Sequence, residues 1–309
     1  MKRDEHWIES VLSCFSAEVG IHSVQTVGGG CISQAWKVQN DSSGDHYFVK
    51  QNHIDLLDNF RAESDGLESL SLAAESVEGL EVPKALFIGE VDDKACLVLK
   101  WIDSAADSVN EFQYGRSLAM MHVSGNAEDR SIGYSRDNYL GATHQINTPP
   151  TTKSPQGWID FVAEQRLGYQ IAMAKDGGIA SGQLIEAVEA TIRGLPCLLE
   201  GRRDEITLLH GDLWSGNALF DVDGNVVLID PAVYRGCPEA EFGMLKLFGG
   251  VGPEFDRGYQ SVIQFPEGWQ RRVRVYVLYH LLNHLNLFGA SYLNQCERLA
   301  IELARTSSN

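Results

Sequence analysis

The stretch from residue 208 to 232, LLHGDLWSGNALFDVDGNVVLIDPA, restricts the fold of this chain more than any other. Two short apolar runs flank an Asp-Gly pair, which predicts a β-hairpin with a tight turn. The polar loop before the hairpin carries Asp212 and Asn217, and the returning strand ends at Asp230. The hairpin therefore brings Asp230 back to that loop. Three oxygen-bearing side chains can meet around one point, where they could hold a divalent cation.

The chain has 309 residues, which exceeds the roughly 250 to 300 at which a single hydrophobic core stops growing. Two lobes around a cleft are therefore favoured over one compact body. The 42 acidic and 25 basic residues give a net charge of −17. This charge disfavours a nucleic-acid partner, because phosphate backbones require a basic face. It otherwise indicates solubility, or a cationic or metal-chelated ligand.

No apolar run approaches the ~18 residues of a membrane span, and the first ten residues are too charged for a signal peptide. We therefore expect a cytoplasmic protein without a membrane partner. The six cysteines form no C-x-x-C pair, so free thiols are favoured over a zinc site or a disulfide scaffold. His280 and His284 have the i, i+4 spacing of a two-histidine metal site. Because the glutamate of H-E-x-x-H is missing, core or substrate-lining roles are favoured.

The first third of the chain has the pattern of a five-stranded sheet with one inserted helix that carries Glu63. The predicted strands are Val24–Val27, Ala35–Val38, His46–Gln51, Lys84–Val91 and Ala95–Leu99. Gly28, Gly29 and Gly30 join the first two strands. Such a hairpin can lay backbone N–H groups over phosphates, although three glycines between strands are more often only a turn.

Lys50 lies on the third predicted strand, and Glu63 follows in the predicted helix. Each alone is typical of a solvated surface residue. Because the pair follows a glycine hairpin and precedes the 208–232 stretch, we expect Lys50 to contact nucleotide phosphates while Glu63 holds its ammonium group. Near Trp101 the chain passes from one predicted lobe to the other. Backbone groups from Leu99 to Trp101 could hydrogen-bond an adenine edge.

The rest of the chain is predicted to be mainly helical. Apolar periodicity predicts helices over 108–125, 158–174, 182–199, 239–248 and 268–288. The segment 133–155 is rich in Gly, Asn, Thr and Pro, which predicts an ordered but irregular loop.

These features resemble the protein-kinase-like fold of the small-molecule phosphotransferases, which include aminoglycoside and choline kinases. The resemblance rests on the glycine hairpin, Lys50, Glu63, HGDLWSGN at 210–217, and Asp230. It implies an α+β, two-lobe fold. Residues 1–100 would form a small antiparallel sheet with one helix that covers the nucleotide, and residues 101–309 a larger, mainly helical lobe with the catalytic loop.

The same resemblance implies a role for each residue. Asp212 would be the catalytic base, and Asn217 and Asp230 would hold Mg²⁺. Lys50 would grip the phosphates of ATP, with Glu63 as its partner.

A narrower resemblance links the chain to the fructosamine/ketosamine-3-kinase family. It is carried by GGGCIS at 28–33, FVK at 48–50, AESDGL at 62–67, HGDLWSGN at 210–217, IDPAVYRG at 229–236, KLFGG at 246–250 and YHLLNHLNLFG at 279–289. The family phosphorylates the C3 hydroxyl of ketosamines, the sugar adducts of amines, and the resulting phosphates release the amine. The resemblance implies ATP and Mg²⁺ as cofactors. It implies a small-molecule ketosamine or a glycated lysine as the acceptor.

Four residues around these motifs have open roles. Trp214 could stack on the sugar or be a packing residue, and His284 could line the acceptor site. Cys31 resembles a cysteine of many family members and is either a redox switch or a passive small residue. Glu241 stands where the family usually has Asp, and we expect its longer carboxylate still to anchor the backbone of the catalytic loop.

Two alternatives to a ketosamine kinase remain. One is an aminoglycoside- or choline-type phosphotransferase, and the other is a nucleotide-binding pseudokinase. A pseudokinase usually lacks at least one of the catalytic residues, whereas this chain has the full set, Lys50, Glu63, Asp212, Asn217 and Asp230. The sequence leaves open whether the protein is a monomer or a homodimer.

Overall fold

The structure is a computed structural model that describes residues 2–16, 20–28, 33–104, 109–125, 131–152 and 155–307. The helices are α1 (Lys2–Ser13), α2 (Leu57–Ala74), α3 (Glu111–Ser124), α4 (Pro155–Phe161), α5 (Tyr169–Asp176), α6 (Gly182–Leu198), α7 (Phe242–Leu247), α8 (Pro253–Gln260), α9 (Trp269–Phe288) and α10 (Leu293–Thr306). A π-helical turn, Val162–Gly168, joins α4 to α5.

Twelve strands alternate with these helices in the described residues. They are β1 (Ile21–Thr26), β2 (Gln34–Asn40), β3 (His46–His53), β4 (Leu80–Glu81), β5 (Ala85–Val91), β6 (Lys94–Lys100), β7 (Asn138–Leu140), β8 (Thr143–Gln145), β9 (Thr207–Leu209), β10 (Ala218–Phe220), β11 (Val226–Leu228) and β12 (Tyr234–Gly236).

The first part of the chain is a five-stranded sheet in the order β1-β2-β3-β6-β5, and every neighbouring pair is antiparallel. The predicted five-stranded sheet with one inserted helix is therefore confirmed. Helix α1 covers one face because its apolar side chains recur on one side. Trp7, Ile8, Val11 and Leu12 pack there against strand residues such as Val38 and Val49.

Helix α2 covers the other face of the sheet with Phe60 and Leu67, which pack against Leu97 and Leu99 of β6. At Gly66 the helix passes so close to the 231–233 segment that an added Cβ would lie 3.1 Å from the Pro231 side chain. The chain therefore places α2, and Glu63 with it, directly against the end of the β10–β11 hairpin.

The second part is mainly helical and is built around α9. Its two largest apolar clusters include α9 residues such as Leu278 and Leu282 in one and Val273 in the other. The predicted β10–β11 hairpin is confirmed by the pairing of Ala218 with Leu228. An antiparallel sheet followed by a helical part agrees with the predicted α+β class. The boundary near residue 100 between two lobes stays a prediction.

Three features differ from the sequence-based expectations. The 133–155 segment contains the antiparallel β7–β8 hairpin rather than an irregular loop. The two-residue strand β4 pairs with β11 in parallel, so the β10–β11 hairpin gains a third strand from the first part of the chain. Helices α8 and α10 were not predicted. Among the described residues, no helix combines the length and apolarity that crossing a membrane requires.

Candidate active site

A cavity of about 780 Å³ lies where the sheet, the loop after β9, the β7–β8 hairpin and α9 meet. It brings together most of the predicted site residues. Gly28, Lys50, Glu63, Leu99, Trp101, Asp212, Trp214, Asn217, Asp230 and His284 all line it. The other three, Gly29, Gly30 and Cys31, lie outside the described residues.

Lys50 places a positive charge between two carboxylates in this cavity. It extends from β3, and its Nζ bonds both Glu63 Oε1, at 2.8 Å, and Asp230 Oδ1. Burial lowers the pKa of Lys50, but the charges of Asp230 and Glu63 outweigh burial and leave the pKa raised. Lys50 is therefore held as an ammonium between two carboxylates.

The Lys50 ammonium does not affect the pKa values of the two carboxylates equally. Burial raises the pKa of Glu63 to about 7, against the opposing effect of Lys50. Burial also acts on Asp230, but there the Lys50 charge and hydrogen bond prevail and the pKa is lowered. The Asp230 side chain is 41% exposed to the open cavity, whereas that of Glu63 is 14% exposed. The better-solvated Asp230 is thus the carboxylate that stays ionised and is open to the cavity.

Asp230 holds its place through an unusual backbone conformation. Its φ of +55° lies in the left-handed region, which Asp tolerates better than most residues. Asn217 lies beside it, and its Nδ2 donates to the Asp212 carbonyl at 2.8 Å and more weakly to Asp212 Oδ2 at 3.4 Å. This arrangement assigns Nδ2 to the loop and leaves Oδ1 of the amide for a ligand. The amide oxygen and the Asp230 carboxylate are hard donors that suit Mg²⁺.

Asp212 lies beside Asn217 on the loop that connects β9 and β10. Burial raises its pKa well above the usual range, and the negative charges of Asp230 and Glu241 raise it further, while the bond from Asn217 opposes them. A carboxylate with a raised pKa is a stronger proton acceptor than an ordinary aspartate. The environment of Asp212 therefore suits a general base.

Two buried residues fix the loop that carries Asp212. Glu241 accepts hydrogen bonds from the backbone N–H groups of His210, at 2.6 Å, and Gly211, at 3.0 Å. His210 in turn bonds the Ile229 carbonyl through Nε2 at 2.9 Å and accepts from Asp212 N–H at Nδ1. The expectation that Glu241 anchors the loop is confirmed, and His210 braces the same loop. Burial lowers the pKa of His210, in keeping with a neutral ring that donates from Nε2.

Gly211 permits the tight turn at this point. Its φ is +80°, and a Cβ added there would lie 2.1 Å from the Ala232 carbonyl oxygen. A side chain would push the loop away from the segment that follows Asp230. The glycine of HGD is thus required by the backbone rather than by the chemistry.

The end of the cavity next to the five-stranded sheet is apolar. Its walls include Val27, Ala35, Phe48, Leu99, Trp101, Ile102 and Leu219. The Trp101 backbone N–H donates to the His46 carbonyl at 2.9 Å, so this donor is used within the sheet. Any contribution of Trp101 to an adenine must come from its other groups. Leu99 is almost fully buried at 2% exposure.

At the opposite end the cavity is lined by aromatic rings. Trp214 and His284 were predicted there, and both are half-buried. Phe248, Phe288 and Tyr292 also line this end and were not predicted as site residues. The sequence did contain a signal for two of them, because Phe248 and Phe288 lie within the KLFGG and YHLLNHLNLFG motifs.

The β7–β8 hairpin lines another side of the cavity and bonds two parts of the protein that are distant in sequence. Arg136 donates to Asp58 Oδ1 and Asp65 Oδ2 of α2, both at 2.7 Å. Asn138 donates to the Val233 carbonyl at 2.7 Å, and Gln145 to the Ala232 carbonyl at 3.1 Å. The hairpin therefore contacts both the helix that carries Glu63 and the segment that follows Asp230. No sequence motif pointed to these residues.

The chain is similar to proteins of known families over almost its whole length. A family model described as fructosamine kinase matches residues 5–305. A protein-ribulosamine 3-kinase of Arabidopsis thaliana is 36% identical over 273 residues, 88% of this chain and 79% of that protein. A probable ketoamine kinase of Vibrio parahaemolyticus is 36% identical over 273 residues, which cover 88% of each chain.

Solved structures show the same similarity. A structure of a fructosamine-3-kinase candidate from Thermobifida fusca has a TM-score of 0.80 and 31% identity, and covers 97% of this chain and 98% of that one. An aminoglycoside phosphotransferase in complex with ADP and hygromycin B has a TM-score of 0.63 at 13% identity, with 97% and 98% covered. The latter is evidence for the fold alone, and it confirms the predicted protein-kinase-like architecture.

Proposed function

Because the chain belongs to the fructosamine kinase family and is a phosphotransferase, we propose that it transfers the γ-phosphoryl group of ATP to the C3 hydroxyl of ketosamines. The observation that carries the proposal is the bonding of Lys50 to both Glu63 and Asp230 in the cavity that also contains Asp212 and Asn217. Phosphoryl transfer requires mainly positioning and charge neutralisation, and these five residues can provide both.

Lys50 would contact the phosphates of ATP. Its charge is kept by the two carboxylates, and Glu63 restricts where the ammonium can lie. Val27 and Gly28, which follow β1, line the same cavity, where backbone groups could cover the phosphates. Asn217 and Asp230 would hold Mg²⁺, which would neutralise charge on the β- and γ-phosphate oxygens. When the cation is bound, Asp230 would contact Lys50 less closely and would bind the cation instead.

Asp212 would orient the C3 hydroxyl and accept its proton. The acceptor oxygen forms a bond to the γ-phosphorus, the bond from that phosphorus to the ADP oxygen breaks, and the hydroxyl proton moves to a carboxylate oxygen of Asp212. The raised pKa of Asp212 supports this role. General-base action of this kind contributes roughly 10²- to 10⁴-fold.

Trp214 and His284 would bind the sugar part of the acceptor. Both line the cavity, and Trp214 is held on the same loop as Asp212. A half-buried indole offers an apolar face on which a sugar ring can stack. Ribulosamines and fructosamines, free or on protein lysines, are the proposed acceptors. A cytoplasmic location and a monomeric or homodimeric state stay predictions.

The experiment that tests this function is an acceptor panel with Mg²⁺ and ATP. Ribulosyl-lysine, fructosyl-lysine, an aminoglycoside and choline are each supplied, ADP release is followed, and the product is examined by ³¹P–¹H correlation. We expect turnover with the ketosamines and a phosphorus signal correlated with the proton on C3. Turnover only with choline or the aminoglycoside, or a phosphate on another hydroxyl, contradicts the proposal.

A further inference from the structure

The acceptor end of the cavity continues outward as a row of aromatic rings. In order they are Trp214, Phe248, His284, Phe288 and Tyr292, here called the aromatic row. The distances between successive ring centroids are 6.1, 5.1, 5.4 and 6.2 Å. All five residues line the cavity. The row starts with Trp214 on the loop of Asp212 and ends with Tyr292 before α10, where the Tyr292 ring also lies 5.2 Å from that of His284.

Exposure within the row is greatest at the two phenylalanines. Phe248 is 44% and Phe288 50% exposed, whereas Trp214, His284 and Tyr292 are half-buried. Among the described residues, these two are the only aromatic side chains in the set of exposed large hydrophobics. Exposed aromatic side chains that adjoin a cavity often mark a binding surface. Phe248 and Phe288 therefore form a candidate contact surface rather than part of the core.

The backbone holds both phenylalanines at helix ends. Phe248 directly follows α7, and Phe288 is the last residue of α9. Each is followed by a glycine with a positive φ, Gly249 at +68° and Gly289 at +81°. Glycine at this position is a common way to end a helix. Two helices thus stop at the same side of the cavity mouth, and each presents a ring there.

We infer that Phe248, Phe288 and Tyr292 bind the substituent on the amine nitrogen of the acceptor and select for apolar substituents. This inference rests on the proposed function. The acceptor hydroxyl must reach Asp212, so the remainder of the acceptor must extend towards the open end of the cavity. There it meets aromatic faces, which favour an alkyl stem or an aryl ring over a small or strongly polar group.

A series of ribulosamines that differ only in the amine tests this inference. The amines are methylamine, hexylamine and Nα-acetyl-lysine, and KM and kcat are measured for each with Mg²⁺ and ATP. A fully buried methylene is worth about fourfold in affinity. Because the row stays partly exposed, we expect a KM about tenfold lower for the hexyl than for the methyl adduct, with kcat changed little.

Phe288→Ser and Phe248→Ser are the test variants, and Leu86→Ser is the matched control. Leu86 is 45% exposed on β5, so its substitution removes a similarly exposed apolar side chain from another surface. We expect the hexyl-to-methyl preference to fall to about threefold or less in either phenylalanine variant and to persist in Leu86→Ser. Thermal unfolding of each variant confirms that it is folded.

The outcomes separate this inference from the proposed function. If ketosamines are phosphorylated but the wild-type protein shows no apolar preference, the inference alone is wrong. The inference alone is also wrong if the hexyl-to-methyl preference persists in both phenylalanine variants. If no ketosamine is phosphorylated, the proposed function fails and the inference fails with it.

Discussion

Two segments border the same cavity but contribute to it in different ways. The catalytic segment, residues 208–232, supplies Asp212, Asn217 and Asp230. The hairpin segment, residues 131–147, lines the cavity as well, but its polar side chains are mostly bonded to other parts of the protein. In the proposed function, the first segment provides the reactive groups, and the second determines where those groups lie.

The difference shows which roles can be recognised in a sequence. The residues of the catalytic segment lie close together in the chain, and their chemical types indicate phosphoryl transfer. Residues of the hairpin segment act through distant partners. Arg136 and Asp58 are 78 positions apart, and Asn138 and Val233 are 95 apart. An arginine or asparagine in an irregular stretch has no special meaning until the fold shows what it touches.

The hairpin segment also links the two partners of Lys50. Through Arg136 it holds α2, which carries Glu63, and through Asn138 it holds the segment after Asp230. Tyr134 adds a 2.5 Å bond between its hydroxyl and that of Ser69 on α2. We therefore expect damage to the hairpin segment to weaken the Lys50 site without removing any reactive group.

The largest effect is expected from replacing the central cation. Lys50→Met removes the ammonium that would neutralise the phosphates, and we expect kcat/KM for ATP to fall about 10²- to 10³-fold, as for a lost transition-state donor. Steady-state ADP release measures the change. Lys94→Met is the control, because Lys94 lies on the neighbouring strand β6 against the Trp7 ring. A Lys50 variant with near-normal turnover would show that the cation is not used.

A smaller effect is expected from the hairpin segment. Arg136→Ala removes two half-exposed ion pairs, each worth at most about 1 kcal/mol, so we expect kcat/KM for ATP to fall about fivefold to tenfold. Hydrogen exchange should become faster in α2. Arg136→Lys should recover part of the activity, because it keeps the charge but cannot bond both carboxylates with a planar fork.

The control for Arg136 is Arg274→Ala, which removes an exposed ion pair with Glu302 elsewhere on the surface. Activity and exchange in α2 should be unchanged in that variant. If Arg136→Ala behaves in the same way as Arg274→Ala, the hairpin segment does not position the Lys50 site.

The third prediction concerns stability rather than turnover. Burial of the Glu241 carboxylate raises its pKa, but the hydrogen bonds from His122 and from the loop N–H groups outweigh burial. The pKa of Glu241 is therefore lowered from 4.5. A carboxylate whose pKa is lower in the folded than in the unfolded state stabilises the fold at pH values above its unfolded-state pKa. This contribution is lost as the pH falls through its folded-state pKa. Glu241→Gln should lower the free energy of unfolding by about 2 kcal/mol near neutral pH.

Denaturant unfolding from about pH 7 to about pH 3 measures this effect. The difference in the free energy of unfolding between wild type and Glu241→Gln should become smaller towards about pH 3. Glu254→Gln, in an exposed pair with Arg257, should change stability by less than about 1 kcal/mol. A difference that is constant across the whole pH range would mean that the charge of Glu241 is not the stabilising feature.

The sequence predicted the parts of the fold that follow from local periodicity. The five strands and α2 have clear apolar patterns, and the Asp-Gly turn marks the β10–β11 hairpin. The sequence did not predict β4 or the β7–β8 hairpin. The first is a two-residue strand, and the second consists of three-residue strands whose side chains Asn138 and Gln145 bond distant carbonyls. Such pairings depend on tertiary contacts rather than on propensity.

The candidate site shows the same division. The proposed reactive residues and the Glu241 anchor could be proposed from motifs, because each is defined by chemical type and spacing. Phe248 and Phe288 lie in recognised motifs, yet only the fold shows that two helix ends bring their rings to one cavity mouth. Arg136 could not be found from the sequence at all, since its partners on α2 precede it by more than 70 positions.

The most direct test of the central claim is a measurement of turnover and ATP binding in Asp212→Asn with ribulosyl-lysine as the acceptor. Asp223→Asn, in the exposed turn of the β10–β11 hairpin, is the matched control. We predict that kcat falls about 10²- to 10⁴-fold in Asp212→Asn while the Kd for ATP changes little, and that the control is unaffected. An Asp212→Asn protein with kcat within threefold of wild type would contradict the account.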